Sequence, residues 1–277
     1  MLVEKKKLWV VLSFLLMFSA NAFASERLFT YVYEPETMPQ GATEFENWVT
    51  LRTQRNDAVG QHHYNKWKFR QELEVGVTDN YTVSIYLNES YETFSTKEGE
   101  ETTSKTRESA FDGVSIENRL MVLNPAVNPV GLTLYFEPRF FGEELELEEK
   151  IILGQRIRDW KWAFNISHAT EWFNDFDKKE GELEFTFGLT REINKRWNLG
   201  LEFRNHNELP EYKKWENTVF FVGPVVTYRQ ERWWVTVTAL AQVYGKNYQN
   251  EDPDGKSNFE LEGHEYLNVR CVIGIDF

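Results

Sequence analysis

The stretch Tyr266-Leu-Asn-Val-Arg-Cys-Val-Ile-Gly-Ile-Asp-Phe277 decides how the rest of the chain is read. Leu267, Val269, Cys271, Ile273, Ile275 and Phe277 share one face, and Tyr266, Asn268, Arg270, Gly274 and Asp276 share the other. Only Val272 breaks the order. Side chains alternate across a strand, so period two with opposite polarity on its faces describes a strand between two different solvents. A half-buried strand of a soluble sandwich reads the same way, but here the pattern recurs along the chain and its last strand stops on an aromatic residue. A barrel with lipid outside and water inside is the reading that follows. Cys271, the single cysteine, cannot close an intrachain disulfide and sits among the apolar residues as a small hydrophobe.

Upstream the alternation starts at Glu44, with Phe45, Val49 and Leu51 opposed to Glu44, Glu46, Trp48, Thr50 and Arg52. Residues 66–77 set Trp67, Phe69, Leu73 and Val75 against Lys66, Lys68, Arg70, Glu72 and Glu74. Comparable runs cover 81–94, 114–123, 132–140, 144–157, 160–172, 182–190, 197–204, 217–228, 233–244 and 259–277. Residues 219–222 are apolar on both faces; Phe220, Val222, Val226 and Tyr228 are placed outward, and Pro224 is expected to force a bulge or an unpaired amide. The sum is an all-β fold, a transmembrane up-and-down antiparallel barrel of about 12 strands.

Connections fall into two classes. Those at 78–80, 124–129, 158–159, 192–196 and 229–232 are short, whereas 56–63, 95–108, 174–181, 205–214 and 245–257 are longer and polar, with a tight corner at 141–143 as the exception. Short periplasmic turns opposite long outer loops are what such a barrel requires. Tyr81, Trp160, Trp197 and Trp233 each follow a short turn, which predicts an aromatic girdle at the lipid headgroups.

Residues 1–24 read as a secretory signal peptide: Lys5, Lys6 and Lys7, an apolar run, then Ala22-Phe23-Ala24 as a cleavage site. The run falls short of the about 20 apolar residues of a spanning helix. Residues 25–41, broken by Pro35, Pro39 and Gly41, are expected in the periplasm or the lumen, and 42–277 form the barrel. Aromatic residues make up 16% of a chain whose mean hydropathy is nonetheless polar, as suits a sheet that is apolar on one face only. A net charge of −13 argues against a nucleic-acid partner.

Tyr31-Val32-Tyr33, Glu34-Pro-Glu-Thr-Met-Pro-Gln-Gly41, Glu46-Asn-Trp-Val-Thr-Leu-Arg-Thr53, residues 132–138 and Arg232-Trp-Trp-Val235 resemble a family of uncharacterised outer-membrane barrel proteins of Gram-negative bacteria. The final strand ending in Phe277 resembles the signal by which such barrels are recognised for assembly. These resemblances imply fold and location, with outer-membrane lipid, lipopolysaccharide and the barrel-assembly machinery as partners. They imply no activity or site residues.

Inward charges at similar height are the candidate site: Arg70, Glu117, Glu137, Arg139, Glu148, Lys150, Glu184, Glu202, Arg204 and Arg270. They would form a lumen constriction that orients a small polar solute, or a salt-bridged lattice filling a narrow lumen. The first gives a porin-like channel or binding protein, the second a closed barrel with a structural or surface-interaction role. Acids and bases together disfavour a simple anion or cation channel. Inward Trp48, Tyr86, Tyr135, Trp234, Tyr244 and Tyr266 would stack on sugar rings or fill the lumen.

Lipid hydrolysis is the rival class, and no enzyme is expected. Ser167 and His168 are adjacent and so point to opposite faces, and His206 has no neighbouring serine. His62 and His63 lack a third spaced ligand, so no metal and no cofactor are expected. Asn250, Asp252 and Asp254 imitate the opening of a calcium loop, but Leu261 stands where its closing glutamate belongs.

Overall fold

A computed structural model describes residues 26–55, 60–98, 101–142, 144–173, 178–249 and 258–277. The expected signal peptide and the Asn250–Asp254 loop lie outside these residues. Twelve strands follow in order: β1 Thr43–Thr53, β2 His62–Thr78, β3 Tyr81–Glu98, β4 Glu101–Leu123, β5 Gly131–Phe141, β6 Glu144–Ile157, β7 Trp160–Phe173, β8 Lys178–Asn194, β9 Trp197–Pro210, β10 Asn217–Arg229, β11 Trp233–Asn247 and β12 Leu267–Asp276. Each pairs antiparallel with its neighbour in sequence, and β1 pairs with β12 through Phe45 opposite Ile275 and Thr50 opposite Arg270. The sheet closes into a barrel, which leaves no edge strand with unpaired backbone groups. No helix among the described residues is long and apolar enough to cross a membrane, which says nothing of strands.

The outer face is the apolar one. Leu73, Ile85, Leu134, Ile151, Leu201, Ile273 and Ile275 all stand exposed on it. An apolar band that encircles a protein far exceeds the few hundred Å² that proteins in water usually expose. Inward positions are mostly polar or charged, and most are buried.

Several expectations change. The charged loop 95–108 is mostly strand, because β3 runs to Glu98 and β4 starts at Glu101. Likewise β9 continues to Pro210. Where both faces of a hairpin see water the polarity alternation vanishes while the backbone pairing persists, so the sequence pattern ends before the strand does. At the other end of the chain, β12 begins at Leu267 rather than 259; residues 258–266 fold as an irregular cap instead. The β10/β11 bulge lies between Phe220 and Phe221, whose partners are Tyr244 and Gln242, whereas at Pro224 the register is kept and the pairing with β11 lapses between Val222 and Val225, the unpaired alternative expected there. Val243 is the extra residue, so Tyr244 turns outward against Phe220, 6.0 Å between ring centroids. Tyr266, outside any strand, is exposed and packs on Phe259.

Candidate functional site

The lumen is occupied by the chain itself. Residues 26–42 precede β1 and run inside the barrel with Leu28, Phe29, Val32 and Met38 fully buried. Three apolar clusters hold this segment. Leu28, Phe29 and Val32 meet Ala163 and Val225; Tyr31 meets Val219, Phe221 and Leu240; Tyr33 meets Trp48, Tyr135, Ile152, Trp234 and Val272. The inward apolar residues that broke the alternation, Val272 and Val219 among them, are thus the wall against which the segment packs. Gly188 makes room for it: a Cβ there would stand 2.4 Å from Phe29 Cε1.

A segment with no strand partner must satisfy its buried amides on side chains. Glu202 Oε1 accepts from the backbone N–H of Thr30 at 3.0 Å, Tyr31 at 2.8 Å and Val32 at 3.1 Å. Asn165 pairs with Tyr33 in both directions, accepting from its N–H at 2.7 Å and donating to its carbonyl at 2.9 Å. Met38 N–H donates to Thr82 Oγ1 and Arg270 Nη1 to the Thr30 carbonyl. Charge adds to this, with Lys161 on Glu36, Arg229 on Glu26, and Arg27 beside Glu46 at 3.8 Å. Arg27 also stacks on Tyr33 and Trp48. Burial pushes the Glu34 carboxyl up to about 7, although Lys161, Arg27 and the Leu28 N–H favour its ionised form.

Above the segment, toward the loop end, lies a polar cavity of about 190 Å³. Tyr31 and Tyr33 belong to its lining, together with Arg70, Lys150, Arg204, Arg270, Glu148 and Glu184. Arg204 pairs with Glu184 at 2.5 Å and Lys150 with Glu148 at 2.9 Å. Arg70 donates to Asn88 at 2.9 Å, stands 3.7 Å from Glu137 and covers the Tyr86 ring. Arg270 lies 3.8 Å over Tyr31 and donates to Thr50. Among the described residues, neither Arg270 nor Lys68, both lining this cavity, has a carboxylate within 4.0 Å.

The ten sequence candidates therefore divide. Glu202 and Arg270 bind the backbone of the internal segment, and Glu117 accepts from the Tyr33 hydroxyl and pairs with Arg119 at 2.7 Å. Arg70, Arg139, Glu148, Lys150, Glu184 and Arg204 line the cavity. Glu137 accepts from the Tyr135 hydroxyl, and Arg139 binds Glu171 at 3.1 Å and Glu146. Trp48, Tyr86, Tyr135 and Trp234 are buried inside, the first, third and fourth in one cluster with Tyr33, whose ring meets that of Tyr135 edge-on at 5.2 Å. Tyr81, Trp160, Trp197 and Trp233 each open a strand after a short turn, on the outer face, and Tyr228 joins Trp197 and Trp233 at 4.7 and 5.5 Å. Ser167 is buried inward, while His168 meets the Tyr212 hydroxyl at 3.0 Å on the outer side.

At the loop end a second group forms. His206 and Glu208 of β9 meet His264, which the 258–266 cap folds over the lumen. Sequence spacing could not show this, since His264 lies far along the chain from its partners.

Comparisons with known proteins agree with this architecture. The model of a family described as family of unknown function (DUF6662) matches residues 21–147 and 161–277. Among solved structures, the COG4313 outer membrane channel from Pseudomonas putida F1 aligns with a TM-score of 0.59 at 10% identity, over 90% of this chain and 100% of that one. The NanC porin aligns with a TM-score of 0.51 at 10% identity, over 84% and 98%. No curated protein sequence matches the chain. At such identity the likeness to the two solved structures is one of fold.

Proposed function

The chain belongs to the family of unknown function DUF6662, and we propose that it is an outer-membrane barrel that binds small polar solutes in its loop-end cavity, above an internal segment that controls passage. The apolar outer band and the aromatic residues at the short-turn end support a place in the outer membrane, with short turns toward the periplasm. Lipopolysaccharide and lipid are then the surroundings of the outer face, and the apolar face of β12 with exposed Phe277 offers the assembly machinery its contact.

One observation carries the reading: the cavity wall holds Arg270, a cation that has no carboxylate within 4.0 Å among the described residues. A charge removed from bulk water without a partner is costly, and a solute bearing an acidic group would supply the partner. The tyrosines of the lining add flat faces on which a ring can stack. Equilibrium binding of acidic and neutral amino acids and sugars to the detergent-solubilised chain tests this. Acidic solutes are expected to bind more tightly than neutral ones of equal size, and Arg270→Gln to reduce the difference; equal affinity for acidic and neutral solutes contradicts it.

A second reading, a closed barrel with a structural or surface-interaction role, draws support from the dense hydrogen bonding of residues 28–38 to the wall. It predicts no permeation of any solute under any condition that leaves the barrel folded.

A further inference from the structure

Beyond solute binding, we propose that His206, Glu208 and His264 form a binding site for a first-row transition-metal ion of the Zn²⁺ class, which clasps the β11–β12 connection onto β9.

The donor atoms converge. His206 and Glu208 are two apart on β9 and so share its inward face. Glu208 Oε1 lies 3.7 Å from His206 Nε2 and 3.5 Å from His264 Nε2, and one ligand atom from each of the three falls within 4.8 Å of the others. A tetrahedral ion with bonds of about 2 Å sets its donors about 3.3 Å apart, so a small inward movement closes the site. Both imidazoles are buried, with ring centroids 5.2 Å apart and planes at 74°.

The surroundings are built rather than incidental. Glu184 Oε2 lies 3.1 Å from His206 Nδ1. Arg204 Nη2, a donor only, is 3.3 Å from the same nitrogen, so metal binding needs the tautomer in which Nδ1 gives its proton to Glu184 and leaves Nε2 free, as ligating histidines commonly require. Asn217 donates to Glu208 Oε2, which leaves Oε1 for the ion. His264 Nε2 is 3.0 Å from Asn217 Oδ1, so binding needs its ring proton on Nδ1 instead. The loop that carries His264 is fixed: Glu260 accepts from the N–H groups of Glu262, Gly263 and His264, each at 3.1 Å, and Gln242 holds the Glu260 backbone. Two imidazoles and one carboxylate suit Zn²⁺, Co²⁺, Ni²⁺ or Cu²⁺, whereas Ca²⁺ selects oxygen ligands.

The test is titration of the full mature chain in detergent, stripped with chelator, with Co²⁺ and then Zn²⁺. The expected result is a visible Co²⁺ absorption of low-coordinate type that saturates at one ion per chain, yields to Zn²⁺ and is unmoved by Ca²⁺. His264→Gln, in the cap outside the strands, should abolish it while the folded band on an unheated gel persists, and Glu184→Gln should weaken binding roughly 10- to 100-fold. No absorption in the unaltered chain, absorption that survives His264→Gln, or displacement by Ca²⁺ would overturn the proposal.

Discussion

The backbone nitrogen of Tyr31 lies 2.8 Å from Oε1 of Glu202, and the same oxygen accepts from the amides of Thr30 and Val32. One carboxylate on β9 thereby anchors the middle of the segment that fills the lumen. Removing its charge while keeping an acceptor, Glu202→Gln, should loosen the segment by about 1–3 kcal/mol. Hydrogen exchange at Thr30, Tyr31 and Val32 should then quicken roughly ten- to hundredfold while amides of β9 and β10 stay protected. Unchanged exchange at the three amides would show that the carboxylate does not hold them.

Asn165 reads both backbone groups of Tyr33 with one amide. Asn165→Leu leaves a buried donor and a buried acceptor unpaired, at a cost of about 2–4 kcal/mol. The same exchange experiment should show Tyr33 opening, and limited proteolysis should cut within residues 26–42.

Gly188 faces the Phe29 ring so closely that any side chain collides with it. Gly188→Val is a good strand substitution at a position paired with Ala163 and Glu202, so the barrel should assemble as before. The Phe29 ring should be expelled, and protease access to residues 26–42 should rise without loss of β-sheet circular dichroism. Protection equal to that of the unaltered chain would contradict the packing described.

The seating of the segment should depend on pH. Glu34 is raised to about 7 by burial, with Lys161, Arg27 and Glu36 as its charged neighbours. A carboxyl whose pKa is higher when docked than when free contributes stability that is present below about pH 4.5 and lost as pH rises through 7. Burial raises Glu26 as well, in the same direction, against its Arg229 partner. Proteolysis of residues 26–42 should therefore be slower at pH 5 than at pH 8, and Glu34→Gln should flatten the difference.

The strand phases were legible because lipid and a polar lumen impose opposite demands on alternate residues. Even the ambiguous 219–222 stretch has the phase that its neighbours imply, with Phe220 out and Phe221 in. The internal segment was harder to place, because residues 26–42 have no period and the amides of residues 30–33 and 38 bond to side chains on distant strands. Its trace lay in the wall instead: Val272, Ile152, Val219 and Val225 are apolar where an aqueous lumen would call for polar residues, and each is covered by the segment. Tyr244 was misread because a single extra residue, Val243, inverts everything beyond it, as any one-residue slip in a strand does. The His206, Glu208 and His264 group depends on the fold of a cap that no local pattern announces.

On the function proposed here, residues 26–42 close the passage through the barrel. Single-channel recording in planar bilayers compares the unaltered chain with the Glu202→Gln, Asn165→Leu double variant, which frees the segment and leaves the strand ladder untouched. The unaltered chain should give a closed or barely conducting barrel, and the double variant a steadily conducting pore. An unaltered chain that already conducts as widely as the double variant would contradict that closure.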